Sequence, residues 1–308
     1  MPAYHPCMDL KQLDYFTHVA EMGSFTRAAS FLSVAQPALS RQVRSLEVEL
    51  RQTLLERNGR GVTLTEAGKR LLEHSRGILA QVERARLDLE DHRGAATGRV
   101  VLALPPSVSR TLTGPLVRAF RERFPKATLS VVEGLSTYAL EWLAIGRADC
   151  AVVYNVVPSP AVDLLPVLNE QLYLVSGRSR TRGRKLMGSA ITLAEVATHP
   201  LVIPSRPHSM RMLLETALAN VGCKARVALE IESIPAILDL VKHEDLHAVL
   251  SLNAIQSTGN EADFCVRPIG KPKLAATLWI ATSSQRPRGP LIEQCGELVR
   301  ELLVELWA

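Results

Sequence analysis

Aromatic residues are scarce in this chain: Phe, Tyr and Trp make up 5% of its 308 residues. Proteins that grip single-stranded nucleic acid stack bases on such rings, so that mode of binding is disfavoured. No apolar run approaches the ~18–20 residues that span a bilayer. The opening MPAYHPC has neither the basic nor the apolar region of an export signal. Cys7, Cys150, Cys223, Cys265 and Cys295 are odd in number and widely spread, with no CxxC pair. That spacing excludes a disulfide framework or a zinc ribbon and fits reduced thiols in a cytoplasm. Cys150, inside ADCAVVY, reads as a small core residue. A local excess of positive charge is also missing. The chain carries +5, but residues 1–93 hold 13 Lys/Arg against 12 Asp/Glu. Any surface there that meets an anionic polymer must come from spatial segregation of charge. The densest basic run, Arg178, Arg180, Arg182, Arg184 and Lys185, is broken by Ser, Thr and Gly and reads as a solvated loop.

What is present is strongest in residues 24–50, SFTRAASFLSVAQPALSRQVRSLEVEL. Ser24 is a good N-cap, and Phe25, Ala28, Ala29 and Leu32 recur at helical spacing. The pattern stops at Ser33-Val34 and restarts at Gln36-Pro37, where proline costs little in a first turn. Leu39, Val43, Leu46 and Leu50 then form one apolar face. Gln36, Ser40, Arg41 and Arg44 fall on or near the opposite side, the residue types that base-edge and phosphate contacts need. An amphipathic helix over 9–22 precedes this pair. A β-hairpin tipped by Arg57 and Arg60 follows, with its turn at Asn58-Gly59-Arg60-Gly61. Thr65 is placed to cap a helix over about 66–92, in which Leu71, Ser75, Ile78, Val82, Ala85 and Leu89 step by four and three. That is a heptad seam of period 3.5, which asks for a partner helix; packing on its own domain is the competing reading.

GAATG (94–98) reads as a hinge. Beyond it, strands alternate with helices: strands at Arg99–Leu104, Thr128–Glu133, Asp149–Tyr154, Leu172–Val175, Leu201–Ile203, Arg226–Ile231, Ala248–Leu250 and Leu274–Thr282. Helices are expected at Leu112–Phe124, Thr137–Ala144, 209–221, Ile234–Lys242 and Leu291–Trp307. Such alternation gives mainly parallel sheets covered by helices, with ligands at the strands' carboxyl ends.

The stretches LKQLDYFTHVAEMGSFTRAA, VAQPALSRQVRSLE and LLERNGRGVTLTEAG together resemble the N-terminal region of LysR-type bacterial transcriptional regulators, and the rest of the chain is similar to that family's effector domain. LPPSVSRTL and EIESI resemble its nitrogen-assimilation-control branch. The resemblance implies an α/β protein with a winged helix-turn-helix over 8–65 and a dimerising linker helix over 66–93. An effector domain over 99–308 would be built like periplasmic binding proteins. Its subdomains would be 99–167 with 272–308, and 168–271, joined by crossovers near Pro166–Asn169 and Pro268–Pro272. It implies a cytoplasmic, non-enzymatic, sequence-specific regulator without cofactor, metal or membrane partner. The expected partners are double-stranded DNA, a small polar or anionic inducer, further copies of itself as dimer and tetramer, and RNA polymerase if it activates. DNA contacts carry over to Gln36, Pro37, Ser40, Arg41 and Arg44, with Arg57 and Arg60 on the wing. Ala35 stands where the family often has a capping Ser.

For the inducer, the resemblance points to Ser107, Ser109, Ser136 and Thr137, which follow first-subdomain strands at helix starts whose N–H groups favour anions. Pro204 and Ser205 would face them across a cleft, although each Ser could equally be a simple N-cap. Tyr154 falls where some relatives that respond to aromatic acids carry Arg, which argues against a dicarboxylate. Two other chemistries compete. His243-Glu244-Asp245-Leu246-His247 spells the zinc-peptidase HExxH, but it begins at a helix end and runs into a strand, so its rings would not converge. A redox sensor would use Cys223 and Cys265, which lie far apart in sequence.

Overall fold

The computed structural model describes residues 8–58, 61–90, 98–178, 187–256 and 261–307. Cys7, Arg60, most of the hinge and Arg180 to Lys185 therefore lie outside the described residues. The chain forms two compact units, one built on the residues up to Gly94 together with Ile145–Arg147 and one on the rest.

In the first unit, helix α1 (Leu10–Met22) starts with a capping box. Asp9 accepts from the Gln12 amide, and the Gln12 side chain accepts from the Asp9 amide. It stops at Gly23, whose φ of 60° suits a residue without Cβ. Helix α2 (Phe25–Phe31) is capped by Ser24. It ends with Ser33 left-handed at φ 54° and the Val34 amide donating to the Ala29 carbonyl at 3.0 Å, a Schellman closure. Helix α3 (Gln36–Leu50) follows with Pro37 in its first turn. Strands β1 (Leu55–Asn58) and β2 (Gly61–Leu64) pair antiparallel as the wing, and the Val62 amide donates to the Gly23 carbonyl. Phe16, Val19, Ala28, Leu39, Val43, Leu46 and Leu54 fill the core at 1% exposure or less. Burying each large side chain is worth ~1.5–3 kcal/mol.

Helix α4 (Glu66–Glu90) has Thr65 accepting from the Gly68 amide at 3.0 Å, as a cap does. The heptad stripe divides. Leu71 packs on the first unit's core and Ser75 is fully buried, its hydroxyl donating to the Leu71 carbonyl. Ile78 and Ala85 are exposed and Val82 half-buried, while the Leu89 side chain is outside the described residues. The first two seam positions thus serve their own unit.

The second unit is α/β. Strand β3 (Gly98–Leu104) runs parallel to β4 (Ala127–Glu133) and β5 (Cys150–Tyr154). Helices α5 (Pro106–Arg123) and α6 (Ser136–Ile145) make the crossovers. Strand β6 (Val162–Gly177) is one continuous 16-residue strand. After α7 (Leu193–Thr198), β7 (Leu201–Ile203) lies parallel to β8 (Val227–Glu230) and β9 (His247–Ser251). Helices α8 (Ser209–Asn220), α9 (Ile234–His243) and the short α10 (Leu252–Gln256) complete that half. Strand β10 (Phe264–Pro268) pairs with β6, and β11 (Ala275–Ser283) and α11 (Pro290–Trp307) return to the first half.

The expectation of mainly parallel sheets needs correction. Antiparallel pairs β5–β11, β11–β6, β6–β9 and β6–β10 run through the middle. The reason is the two-way traffic between halves: β6 carries the chain out and β11 brings it back. The first part of β6 pairs with β11, with a register shift beside Pro166, and the part from Leu172 pairs with β9 and β10. Proline lacks the ladder donor, so a bulge is where a strand tolerates it. The separate strand expected at Leu172–Val175 is the continuation of β6. No helix among the described residues is long and apolar enough to cross a membrane.

Candidate functional site

Two surfaces carry the residue types of interest, one in each unit. In the first unit, α3 buries Leu39, Val43 and Leu46 and turns Pro37, Arg41 and Arg44 to solvent, with Gln36 and Ser40 half-buried beside them. From Gln36 to Arg44 this face is ~12 Å long at 1.5 Å per residue, long enough to meet three or four base pairs. Neither Arg41 nor Arg44 forms an ion pair among the described residues, so both guanidinium groups are available. Ala35 caps α3 with backbone alone: no side chain bonds the first turn, and the Ala38 and Leu39 amides both donate to the Ala35 carbonyl. The Arg57 side chain and all of Arg60 lie outside the described residues. Glu47 was not singled out from the sequence. Its carboxylate accepts from the Leu54 and Leu55 amides at 2.8 and 3.1 Å, tying the end of α3 to the wing.

In the second unit, a cavity of about 730 Å³ opens at the ends of β3, β5, β7 and β9. Ser107, Ser109, Ser136, Tyr154 and Pro204 line it, whereas Thr137 and Ser205 do not. Thr137 instead turns its hydroxyl into the protein, where it is buried without a hydrogen-bond partner. Helix α5 begins at Pro106 rather than near Leu112, so Ser107 and Ser109 sit in its first turn. Pro105 and Pro106 fit the N-cap and first helical positions, and the helix runs on through Pro115. The Ser136 hydroxyl accepts from the Tyr154 amide at 2.9 Å, and the Ser109 and Thr113 hydroxyls are 3.1 Å apart.

Sequence reasoning missed Arg110, Glu133, His208, Glu232 and Ser251 in the lining. All but Arg110 end strands or precede helices, the same positional signal that found the serines. His208 caps α8 through Nδ1, which accepts from the Met210 amide at 3.2 Å. Its burial holds the imidazole below its usual range, partly offset by Glu232. The charges at the cleft are thus two carboxylates and one guanidinium.

Behind the floor lies a polar cluster. Tyr154 donates its hydroxyl to Glu170 Oε2 at 2.8 Å, and Trp307 Nε1 donates to Oε1 at 2.6 Å. Burial raises the Glu170 carboxyl, while hydrogen bonds from Tyr154, Trp307 and Ser251 oppose the shift. Burial raises the Tyr154 phenol still further from its usual value, reinforced by the Glu170 charge.

The zinc-peptidase reading finds no geometry among the described residues. His243 ends α9, Glu244 is its extended cap and His247 opens β9, so the HExxH residues never share a helix face. The His247 ring instead meets the His199 ring at a tilt, with centroids 4.3 Å apart. Among the described residues no cluster of three or more His, Cys, Asp or Glu could hold a metal. Cys223 follows α8 and is half-buried, and Cys265 is buried in β10; both are free thiols. Burial pushes the Cys295 thiol up to about 12 and Cys150 higher still.

The profile described as "Bacterial regulatory helix-turn-helix protein, lysR family" matches residues 10–69, and "LysR substrate binding domain" matches 93–304. The chain belongs to the LysR family of bacterial transcriptional regulators. It is a DNA-binding regulator of transcription and not an enzyme. It is 34% identical to the nitrogen assimilation regulatory protein Nac of Klebsiella aerogenes, over 97% of this chain and 95% of that protein. To Nac of Escherichia coli K12 the identity is 31%, over 96% and 95%. Among solved structures, full-length CbnR complexed with its target DNA matches with a TM-score of 0.69 at 25% identity, covering 96% of this chain and 100% of that one.

Proposed function

We propose that this LysR regulator reads DNA through the exposed face of α3 and is controlled by a small metabolite bound in the cleft of its second unit. The observation that carries the reading is the pair of unpaired guanidinium groups, Arg41 and Arg44, standing with Gln36, Pro37 and Ser40 on one helix face. Arg41 reads a base edge and Arg44 a phosphate; Arg57 and Arg60 on the wing grip the adjacent backbone. Ile78, Val82 and Ala85, left uncovered by their own unit, pair with the same residues of a second copy. Two recognition helices then meet half-sites ~34 Å or a multiple apart, and two dimers associate as a tetramer. The protein works in the cytoplasm, and where it activates it contacts RNA polymerase.

The cleft takes a ligand with an apolar body and a polar end, since hydroxyls, helix starts and the side chains of Arg110, Glu133 and Glu232 interrupt an otherwise apolar lining. Selection of binding sites from a random DNA pool, followed by footprinting, tests the DNA reading. Two protected half-sites are expected. Ile78→Asp is expected to reduce protection to weak single half-sites and lower the sedimentation coefficient. Unchanged assembly and footprint in that variant would refute pairing through α4.

A further inference from the structure

The cleft floor is one end of a hydrogen-bond chain anchored on its far side by an indole. Trp307 Nε1 has a hydrogen to give and no lone pair to offer, so Glu170 Oε1 must accept from it at 2.6 Å. The other oxygen, Oε2, accepts the Tyr154 hydroxyl at 2.8 Å. Glu170 lies on the buried face of β6 with Leu172 and Leu174, only 7% exposed, and does not itself line the cleft. The proton of Tyr154 is thereby drawn inward.

We infer that Glu170 makes Tyr154, at the floor of the cleft, a hydrogen-bond acceptor, so that the inner end of the effector is an N–H donor, an amine, and not a carboxylate. This rests on the cleft being the effector site and replaces the anionic ligand expected from the serines alone. Glu133 and Glu232, which line the same cavity against Arg110, reinforce the preference. The helix starts around the cleft remain available to oxygen atoms elsewhere on the ligand.

The isosteric variant Glu170→Gln turns the chain round. Trp307 still demands an acceptor, so the amide oxygen faces the indole and the amide nitrogen donates to Tyr154. Tyr154 then turns its own proton outward, into the cleft. The test uses full-length protein with ¹³C-methyl methionine, reading the Met210 methyl, which lines the cavity. The probes are two matched pairs, hexylamine with hexanoate and cyclohexylmethylamine with cyclohexanecarboxylate. The wild type is expected to bind each amine at least about tenfold tighter than its acid, the size of one hydrogen bond to a charged group. Glu170→Gln is expected to lose or reverse that ratio. Tyr154→Phe, which cuts the chain without reversing it, is expected to bring the ratio down towards one, and it keeps the test alive if Glu170→Gln fails to fold. Acids binding better to the wild type, or a ratio unchanged in both variants, overturns the inference alone. A Met210 methyl that none of the four probes moves overturns it together with the cleft as effector site.

Discussion

Arg41→Ala separates sequence reading from mere attachment. Arg41 lies one turn beyond Pro37 on the exposed face of α3, with no ion pair to break among the described residues. Truncation therefore changes little in the free protein, and Leu39 and Val43 stay buried on the opposite face. A bidentate Arg–guanine contact discriminates by ~1–3 kcal/mol, so affinity for the selected site should fall by roughly 5- to 150-fold. A scrambled duplex, which offers no such partner, should lose only what one phosphate neighbour contributes. Arg44→Ala should behave oppositely, weakening both duplexes alike and flattening log K against log salt by ~0.9 per lost phosphate contact. The assay is fluorescence anisotropy on both duplexes at four salt concentrations, with a thermal melt to show that folding is intact. Equal losses on both duplexes for Arg41→Ala would refute its assignment to a base edge. A salt slope unchanged by Arg44→Ala would refute the phosphate role.

Ala35→Ser gives α3 a side-chain cap; because the Ala38 amide already has a backbone partner, melting should show a gain at the low end of the ~0.5–2 kcal/mol range for caps. Leu112→Ala, at a side chain with no exposure, should cost ~2–5 kcal/mol by chemical denaturation; a cost under 1 kcal/mol would mean the site collapses freely. Of Cys150, Cys223 and Cys295, only half-buried Cys223 should react with a disulfide reagent in the native protein, since burial holds the other two thiols protonated; peptide mapping after labelling decides. Burial lowers both His199 and His208, so the unfolded chain takes up protons first. Stability should hold above about pH 6.5 and decline as pH falls through the lowered values. Denaturation midpoints that are flat across that range would contradict it.

The first unit was legible because its determinants are local. Leu39, Val43 and Leu46 repeat at helical spacing, and Ser24, Gly23 and Thr65 mark ends by chemistry that acts within a turn. The second unit was legible only in outline. Prolines misled twice: Pro105 and Pro106 look like loop but open α5, and Pro166 looks like a break but sits at a bulge inside β6. Strand β10 was missed altogether, since FCVRP is a strand only because β6 offers it an edge. The cleft was least legible. Its serines could be guessed from helix starts, but what Tyr154 beside them presents to a ligand depends on Glu170, 63 residues beyond Ser107, and on Trp307 near the chain's end. One signal did exist. In NEQLYLV, two-residue alternation puts Glu170 on the same face as Leu172 and Leu174. A carboxylate in register with buried leucines must find donors or lose its charge, and that requirement alone points to a polar cluster behind the strand. Which hydroxyls and which indole would answer it could be learned only from the fold, and their answer reverses the ligand polarity that the serines by themselves suggest.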